Sequence, residues 1–475
     1  MDRTFRISLL TVFLPALVPT MGTAAPIFSD EGALLPPSAC GIPHGDLDGS
    51  GIVDVTDVQC SLLTALEALA HPDNPTTPSC LADTFESANV NCADNVDVSD
   101  ISLVVTIAIG STLSPELDSD ANGCPDTCDA VTIPPTVPEF GGAGGVNIKV
   151  IGTATHKLSV VRDLAFNPQF PNQLWAFNRA TDSTTIFFNP DTPQQTWEWR
   201  KDGFGNHFME EVSSAAFGVN NTFATCQESQ NTYDGQAAPN NFMGPALWPG
   251  DLSVYAKVNQ TYIPPKYLLG SHLDMLHWSP LCMGIAHDKN NVYWVFDGYH
   301  GYIVRYDFGV PHGYGEDDHS DGIIRTYPMA LVKRVAGIPS HMELDKTTGW
   351  LYVADTGNKR IFRLNTTTGT VKQAMPVSSW NEPLKEFSIM QNSTVQMLVT
   401  TGLTQPSGLA LSDNRIFVSD YFNGDIFVYS TTGALLDRLK TGASGVTGLT
   451  FGPDGRLWYT NPKTNTVSVL NPVNS

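Results

Sequence analysis

Basic residues are scarce in this chain. Lysine and arginine number 26 against 48 aspartates and glutamates, which gives a formal net charge of −22 and an isoelectric point near 4.7. A nucleic-acid partner requires a basic face to replace the counterions of phosphate, so that class is excluded. The same imbalance suits cationic ligands, divalent metals or plain solubility. Long apolar runs are also missing beyond the first two dozen residues, and a membrane span, which takes about 20 apolar residues, is excluded from the mature chain with them.

The apolar run that does exist lies at the start. Met1-Asp2-Arg3-Thr4-Phe5-Arg6, apolar Ile7 to Val18 and then Gly22-Thr23-Ala24 have the basic, apolar and small-residue layout of a secretory signal, read here as residues 1–24. A secreted, extracellular protein is expected. Eight cysteines, an even number, agree with an oxidising compartment. Six precede residue 130, and Cys226 and Cys282 fall far downstream, so each part can close its own pairs. Cys226 and Cys282 either bridge the second and third repeats described below or stay as buried thiols. Sequons at Asn220, Asn259, Asn365 and Asn392 could carry glycans in a eukaryotic source.

From about residue 145 the chain repeats itself. Gly337-Ile338-Pro339-Ser340-His341-Met342-Glu343-Leu344-Asp345 is followed by Gly349 to Leu364, with Leu351-Tyr352-Val353-Ala354-Asp355 and Asn358-Lys359-Arg360-Ile361 inside it. Copies begin at Gly284, Gly408 and Gly448, and looser ones at Asp163 and Ser214. Repeats of roughly 40 to 65 residues, each a few short strands, signify a β-propeller, here of about six blades. Val146 to Ile151 can supply the strand that closes the last blade and removes its edge.

These units resemble NHL repeats in their small-residue inner strand, aromatic second strand and Asn-Lys-Arg-Ile turn. The resemblance implies a six-bladed NHL-type propeller over residues 146–475, with ligand chemistry at the channel end where the inner strands begin. Aligning the repeats places Arg162, Ser213, Met283, Ser340, Ser407 and Thr447 just before each inner strand's first position, with Asp163 and His341 at that position. All eight are expected to face the channel. Peptidylglycine amidating lyases are similar propellers whose channel histidines hold a zinc. In this row only His341 is a histidine, and the Glu, Asn and Asp set of lactonase-type propellers has no match either.

Upstream, Asp46, Asp48, Ser50, Asp54 and Asp57 occupy positions 1, 3, 5, 9 and 12 of a loop with Gly51 at position 6. That is the layout of a calcium loop, which wraps a hard cation in oxygen. Val58, Leu62, Leu63 and Leu66 then recur at helical spacing, predicting an amphipathic helix. Loop and helix resemble a dockerin repeat, with Asp in place of Glu at position 12. The resemblance implies a second calcium loop at Asn89, Asn91, Asp97 and Asp100, which Ala93 at position 5 and Asp94 at position 6 make weak or empty. A small helical, disulfide-containing, calcium-binding module is expected at residues 40–128, with a Pro/Gly-rich linker at 129–145. The loop either serves partner binding or only stabilises a domain short of core.

Eight of the eleven histidines lie between His207 and His341, many beside acidic or methionine neighbours. Neutral imidazole, carboxylate and thioether form a transition-metal ligand set, zinc or copper. One metal on the channel face, held by some of His207, His272, His277, His300, His319 and His341, is the sharp expectation; separately hydrogen-bonded histidines are the plain one. The long stretches 228–248 and 308–322, with Trp248, Trp278 and Tyr299 as an apolar floor, are expected to build a binding face. Three functions stay open: a binding platform for an extracellular protein, glycan or small ligand; a metal-dependent lyase or hydrolase; and an adhesive or matrix protein.

Overall fold

The computed structural model describes residues 44–473 apart from 72–74, 83–84, 93–95, 115–116, 119–122, 126–127, 129–136, 143–144, 231–240, 263, 265 and 377–382. The expected secretory signal at residues 1–24 and most of the 129–145 segment lie outside the described residues. The chain divides into a smaller unit ending at Thr132 and a larger one beginning at Ile133.

In the smaller unit, two helices, α1 (Val55–Ala70) and α2 (Val98–Ala108), pack on each other. Each starts with the same device. Asp54 caps α1 and Asp57 returns a bond to the cap; Asp97 and Asp100 do the same for α2. These reciprocal bonds satisfy amide groups that a helix start leaves unpaired. The face of α1 that enters the core carries Asp57, Cys60, Ser61 and Thr64, whereas Leu62, Leu63 and Leu66 are exposed, so the buried stripe is not the one apolar spacing suggests. Its rotation is set by the Cys60–Cys80 disulfide and by Asp57, whose Oδ1 accepts from Leu47 N at 2.7 Å. A second disulfide joins Cys92 and Cys128.

The larger unit is a six-bladed β-propeller. Its inner strands are Val161–Phe166, Val212–Phe217, Cys282–His287, Met342–Asp345, Pro406–Ser412 and Leu449–Phe451, in blades 1 to 6. Each touches the next, and the sixth touches the first. Blade 6 takes its outermost strand, Val146–Gly152, from the start of the unit, antiparallel to Thr466–Pro472. Blade 3 carries two extra strands, Glu386–Gln391 and Thr370–Ala374, lent by an excursion of blade 4. Part of the expected linker belongs to this unit: Phe140 meets Phe417 edge-on at 5.9 Å, and Glu139 pairs with Arg415 at 2.6 Å.

Alternation along the strands explains the packing. In blade 3, Tyr293 and Val295 face the core shared with blade 2, while Trp294 and Phe296 face the core shared with blade 4. The other neighbouring pairs also share an apolar cluster, so six wedges of core surround the channel. A disulfide between Cys226 and Cys282 ties blade 2 to blade 3.

At the end where they begin, the inner strands nearly touch. Ser340 N donates to Met283 O at 2.9 Å, His341 N to Ser407 O at 2.8 Å, and Gly448 N to Arg162 O at 3.1 Å. A Cβ on Gly408 would stand 1.7 Å from Thr447 O, so no side chain fits there. Gly408→Ala is therefore expected to lower stability by roughly 3 kcal/mol or more, read as the urea midpoint of the purified protein. An unchanged midpoint would show that the strands can part at no cost.

Candidate functional site

Period-two alternation in the inner strand of blade 4 sends Met342 and Leu344 into the core and leaves His341 and Glu343 lining the lumen. Asp163 lines it from blade 1. Blades 1 and 4 are opposite in a ring of six, yet His341 Nδ1 is 3.6 Å from Asp163 Oδ1, and its Nε2 is 3.2 Å from the Ser213 carbonyl of blade 2. These side chains bridge the channel and close it. Asp163 Oδ2 accepts from Ser214 Oγ at 2.9 Å and Ala215 N at 2.8 Å. Burial pushes the Asp163 carboxyl above its ordinary range, with His341 and these hydrogen bonds pulling the other way.

A second bridge involves Glu228, at the end of blade 2's second strand. Its oxygens meet Arg162 Nη1 at 2.7 Å, Arg334 Nη1 at 2.8 Å and Gly337 N at 2.8 Å. On the other side of the Asp163–His341 pair the lumen opens as a cavity of about 380 Å³ that reaches the far ends of the inner strands at Phe166, Phe217, His287 and Phe451. Leu164, Ala215, Ile285, Leu409 and Leu449 line it together with Ser214, Thr450, Glu343 and Lys346, so that polar groups make up more of its exposed lining than apolar ones. Glu343 is wetted by the lumen but surrounded by its walls, and this withdrawal from bulk water pushes its carboxyl up to about 7, against the pull of Lys346. Sequence reasoning missed Glu343, although its place two residues after His341 was the available signal.

The row just before the inner strands does not face the lumen. Ser213 Oγ donates to the Cys226 and Cys282 carbonyls, Ser407 Oγ to Pro339 O, and Ser340 Oγ and Thr447 Oγ1 bond to Thr356 and Thr460. Met283 packs in the core between blades 3 and 4, and Arg162 turns to Glu228. One residue along a strand reverses the side-chain direction, which is why this row joins blades and Asp163 and His341 line the channel.

The histidines do not form one channel-face group. His207, His272, His277 and His319 gather instead beside the outermost strand of blade 2, Asp274–Met275. His272 stacks on Phe208 at 3.6 Å, and His277 and His207 stack on Phe242 at 4.6 and 5.4 Å. Burial pushes His207 down to about 4 and His272 and His277 down to about 3, so all three are neutral imidazoles at pH 7. His300 stands apart, stacked on Trp278 at 4.4 Å with Nδ1 2.7 Å from Asp297 Oδ2. Trp248 belongs to the core between blades 1 and 2 and provides no floor for a surface site.

In the smaller unit, ligand oxygens of Asp46, Asp48 and Asp57 lie within 4.8 Å of one another. Asp46 also accepts from Ser50 N and Gly51 N, at 3.0 and 2.8 Å, which curls the loop around it. Ser50 Oγ turns to Ile52 O at 3.1 Å, and the Asp54 side chain turns to Thr56 at the helix cap. In the second loop Asp100 accepts from Asn91 N at 3.0 Å and Asp97 N at 2.8 Å, repeating the first loop's bonds. Asn89 opens this loop after a short helical turn, Phe85–Ala88. Ala93 and Asp94 lie outside the described residues.

No protein-family model matches the chain, and no curated protein matches it. Among solved structures it is similar to an auxiliary nutrient binding protein from Bacteroides ovatus, at 11% identity over 66% of this chain and 69% of that one, with a TM-score of 0.42. It is also similar to a luciferin-regenerating enzyme, at 12% identity over 69% and 95%, TM-score 0.42. A third is regucalcin of Agrobacterium tumefaciens, described as calcium-binding, at 13% identity over 69% and 94%, TM-score 0.40. Likeness at this level transfers no activity, ligand or cofactor to the present chain.

Glu343 makes the channel testable by pH. Its folded-state value of about 7 exceeds the ordinary 4.5, so between those values the folded protein keeps a proton that the unfolded chain has lost. Wild type should therefore lose stability relative to Glu343→Gln as pH rises from about 5 to 8, by about 1 kcal/mol once lumen water is allowed for. Denaturant midpoints of the two proteins across that range check this; parallel curves would mean an ordinary carboxylate.

Proposed function

We propose that this is a secreted, calcium-binding protein whose NHL-like propeller holds a small ligand in its central channel. The observation that carries the reading is the channel itself. It is closed at one end by Asp163 and His341 from opposite blades and continues as a cavity of about 380 Å³ whose walls mix polar and apolar groups. Volumes in this range suit small molecules, with a few polar groups fixing orientation. Asp163 and Glu343 offer acceptors at the floor and wall, and Lys346 offers a charged donor near the mouth. A partly apolar molecule bearing hydroxyl or amine donors fits this lining.

The calcium part of the proposal rests on Asp46, Asp48 and Asp57, whose oxygens converge in a loop that leads into α1. The dockerin-like part of the reading draws on the second loop and its matching capping box. A metal-dependent lyase or hydrolase acting in the channel has less support, since among the described residues the cavity is lined by only two histidines, His287 and His341. His287 is already engaged, with Lys346 Nζ at 2.7 Å and Asn290 O at 2.9 Å. The adhesive reading draws on Leu62, Leu63, Leu66 and Leu69, which leave an exposed apolar face on α1.

Two measurements check the proposal. Saturating calcium should raise the thermal midpoint of the wild-type smaller unit within the full chain, and Asp48→Ala should abolish most of that rise; equal responses would remove the calcium loop from consideration. A thermal-shift screen of small amines, amino acids and sugars should yield compounds that stabilise wild type and not Thr450→Trp, which places a large ring at a partly exposed position of the cavity wall. If no compound separates these two proteins, the channel is not a ligand site.

A further inference from the structure

The geometry points to a zinc site away from the channel, held by Asp274, His312 and His319 at the outer edge of blade 2. One ligand atom from each of the three lies within 4.8 Å of the others. Asp274 is fully buried on the outermost strand of blade 2, and the two histidines come from the loop after the third strand of blade 3, which folds back onto it.

Each side chain presents what a metal takes. His312 Nδ1 is 2.7 Å from the Gly313 carbonyl, so that nitrogen carries the proton and the lone pair is on Nε2. That Nε2 is buried with no hydrogen-bond partner, and so is Asp274 Oδ2. Leaving either group unpaired costs about 1–3 kcal/mol, which a cation in the gap would remove. His319 sits between two carboxylates, with Nδ1 2.8 Å from Asp274 Oδ1 and Nε2 2.9 Å from Asp317 Oδ1. An imidazole faced by carboxylates on both sides needs one more proton, on its own ring or on the buried Asp274, or a metal on one nitrogen. With Asp317 fixing the proton on Nε2, Nδ1 becomes the ligand, the carboxylate–histidine–metal relay common around bound zinc.

Charge balance favours the metal. Asp274, Asp317 and an imidazolium sum to −1, with Asp274 and His319 buried and Asp317 exposed; the same carboxylates with a neutral imidazole and a divalent ion sum to zero. Two imidazoles and a carboxylate select zinc rather than calcium or magnesium, which take oxygen. Copper is disfavoured because the neighbouring thioethers are used elsewhere: Met209 receives the Tyr255 hydroxyl at 3.8 Å, and Met275 packs in the core between blades 1 and 2. Three protein ligands leave one position for water. His312 also lines a cleft of about 890 Å³ between Phe170, Asn221, Leu252 and Tyr314, which gives the ion a path in. Binding replaces the proton between His319 and Asp274 and releases it to solvent.

The test is equilibrium dialysis of the full chain against zinc chloride with excess calcium present, followed by elemental analysis. Wild type and the channel variant His341→Ala should each retain one zinc, His312→Ala should retain none, and Asp317→Asn should bind about 10–100-fold more weakly. His312 is only half-buried, so its replacement leaves the core intact. Absence of retained zinc in wild type, or equal retention by His312→Ala, overturns the site. Loss in His341→Ala with retention in His312→Ala would move the metal to the channel and overturn it equally.

Discussion

The close approach of the six inner strands at one end of the channel is the constraint on which the propeller depends. Blades 1 and 4 stand across the ring from each other, yet Asp163 and His341 come within 3.6 Å. That distance is possible only because backbones approach where Gly284 and Gly408 have no Cβ; one on Gly284 would meet Ser340 O at 2.0 Å. Bulges beside Arg162, Ser213 and Met283 re-aim the residues there, so one position joins blades and the next faces the lumen. Closure of the outer rim is the complementary condition. Pairing of Val146–Gly152 with the last strand completes blade 6 with a strand from the other end of the unit and holds the ring shut from outside.

From this follows the chemistry of the channel. A closed end removes bulk water, and the groups left there must answer one another. Asp163 accepts three hydrogen bonds and faces an imidazole, while Glu228 gathers Arg162 and Arg334. Buried ion pairs of this kind add little net stability, because desolvation offsets most of the attraction, but removing one partner strands the other. They therefore specify how the blades meet more than how firmly. Glu343 lies just beyond, in the wetted part, without a partner as close as those of Asp163; burial raises both carboxyls, but three hydrogen bonds and His341 pull Asp163 back, whereas only Lys346 does so for Glu343.

Much of this was legible in the sequence, and the limits are instructive. Blade count and the strand from Val146 could be read because each blade repeats one local pattern, and local patterns survive in a linear string. The channel row was misjudged by one position because bulges shift the alternation exactly where the repeats were aligned; the true lining begins at Asp163 and His341. On α1, apolar spacing pointed to Leu62, Leu63 and Leu66, but the disulfide at Cys60 and the cap at Asp57 turned the helix the other way. Phe140 was hidden in a proline- and glycine-rich segment, where composition outweighed a single aromatic anchor. The histidines were noticed for their density, yet their grouping depends on contacts between blades, which no spacing within one repeat encodes. Asp274 and His312 had no local signal beyond proximity to other histidines.

Why the histidines collect at blade 2 has a structural reason. Its two outer strands, Ala246–Pro249 and Asp274–Met275, are the shortest such pair in the propeller, so few ladder hydrogen bonds hold that edge. Packed rings replace them: Trp248 is edge-on to Tyr255 and stacked on Phe223, Phe208 stacks on His272, and Phe242 on His277. The Cys226–Cys282 disulfide closes a 56-residue loop around this same region, and in the chain-entropy model a loop of that length contributes about 4 kcal/mol. Neutral histidine suits such a place because it packs as a ring while its Nδ1 satisfies a nearby carbonyl, as His272 does with Leu269 at 2.7 Å. An edge built from rings and loops instead of a regular ladder is also free to carry polar groups that a β-ladder would turn outward. The propeller thus keeps its bridging ion pairs in the closed end of the channel and its buried histidines where one blade is least a sheet.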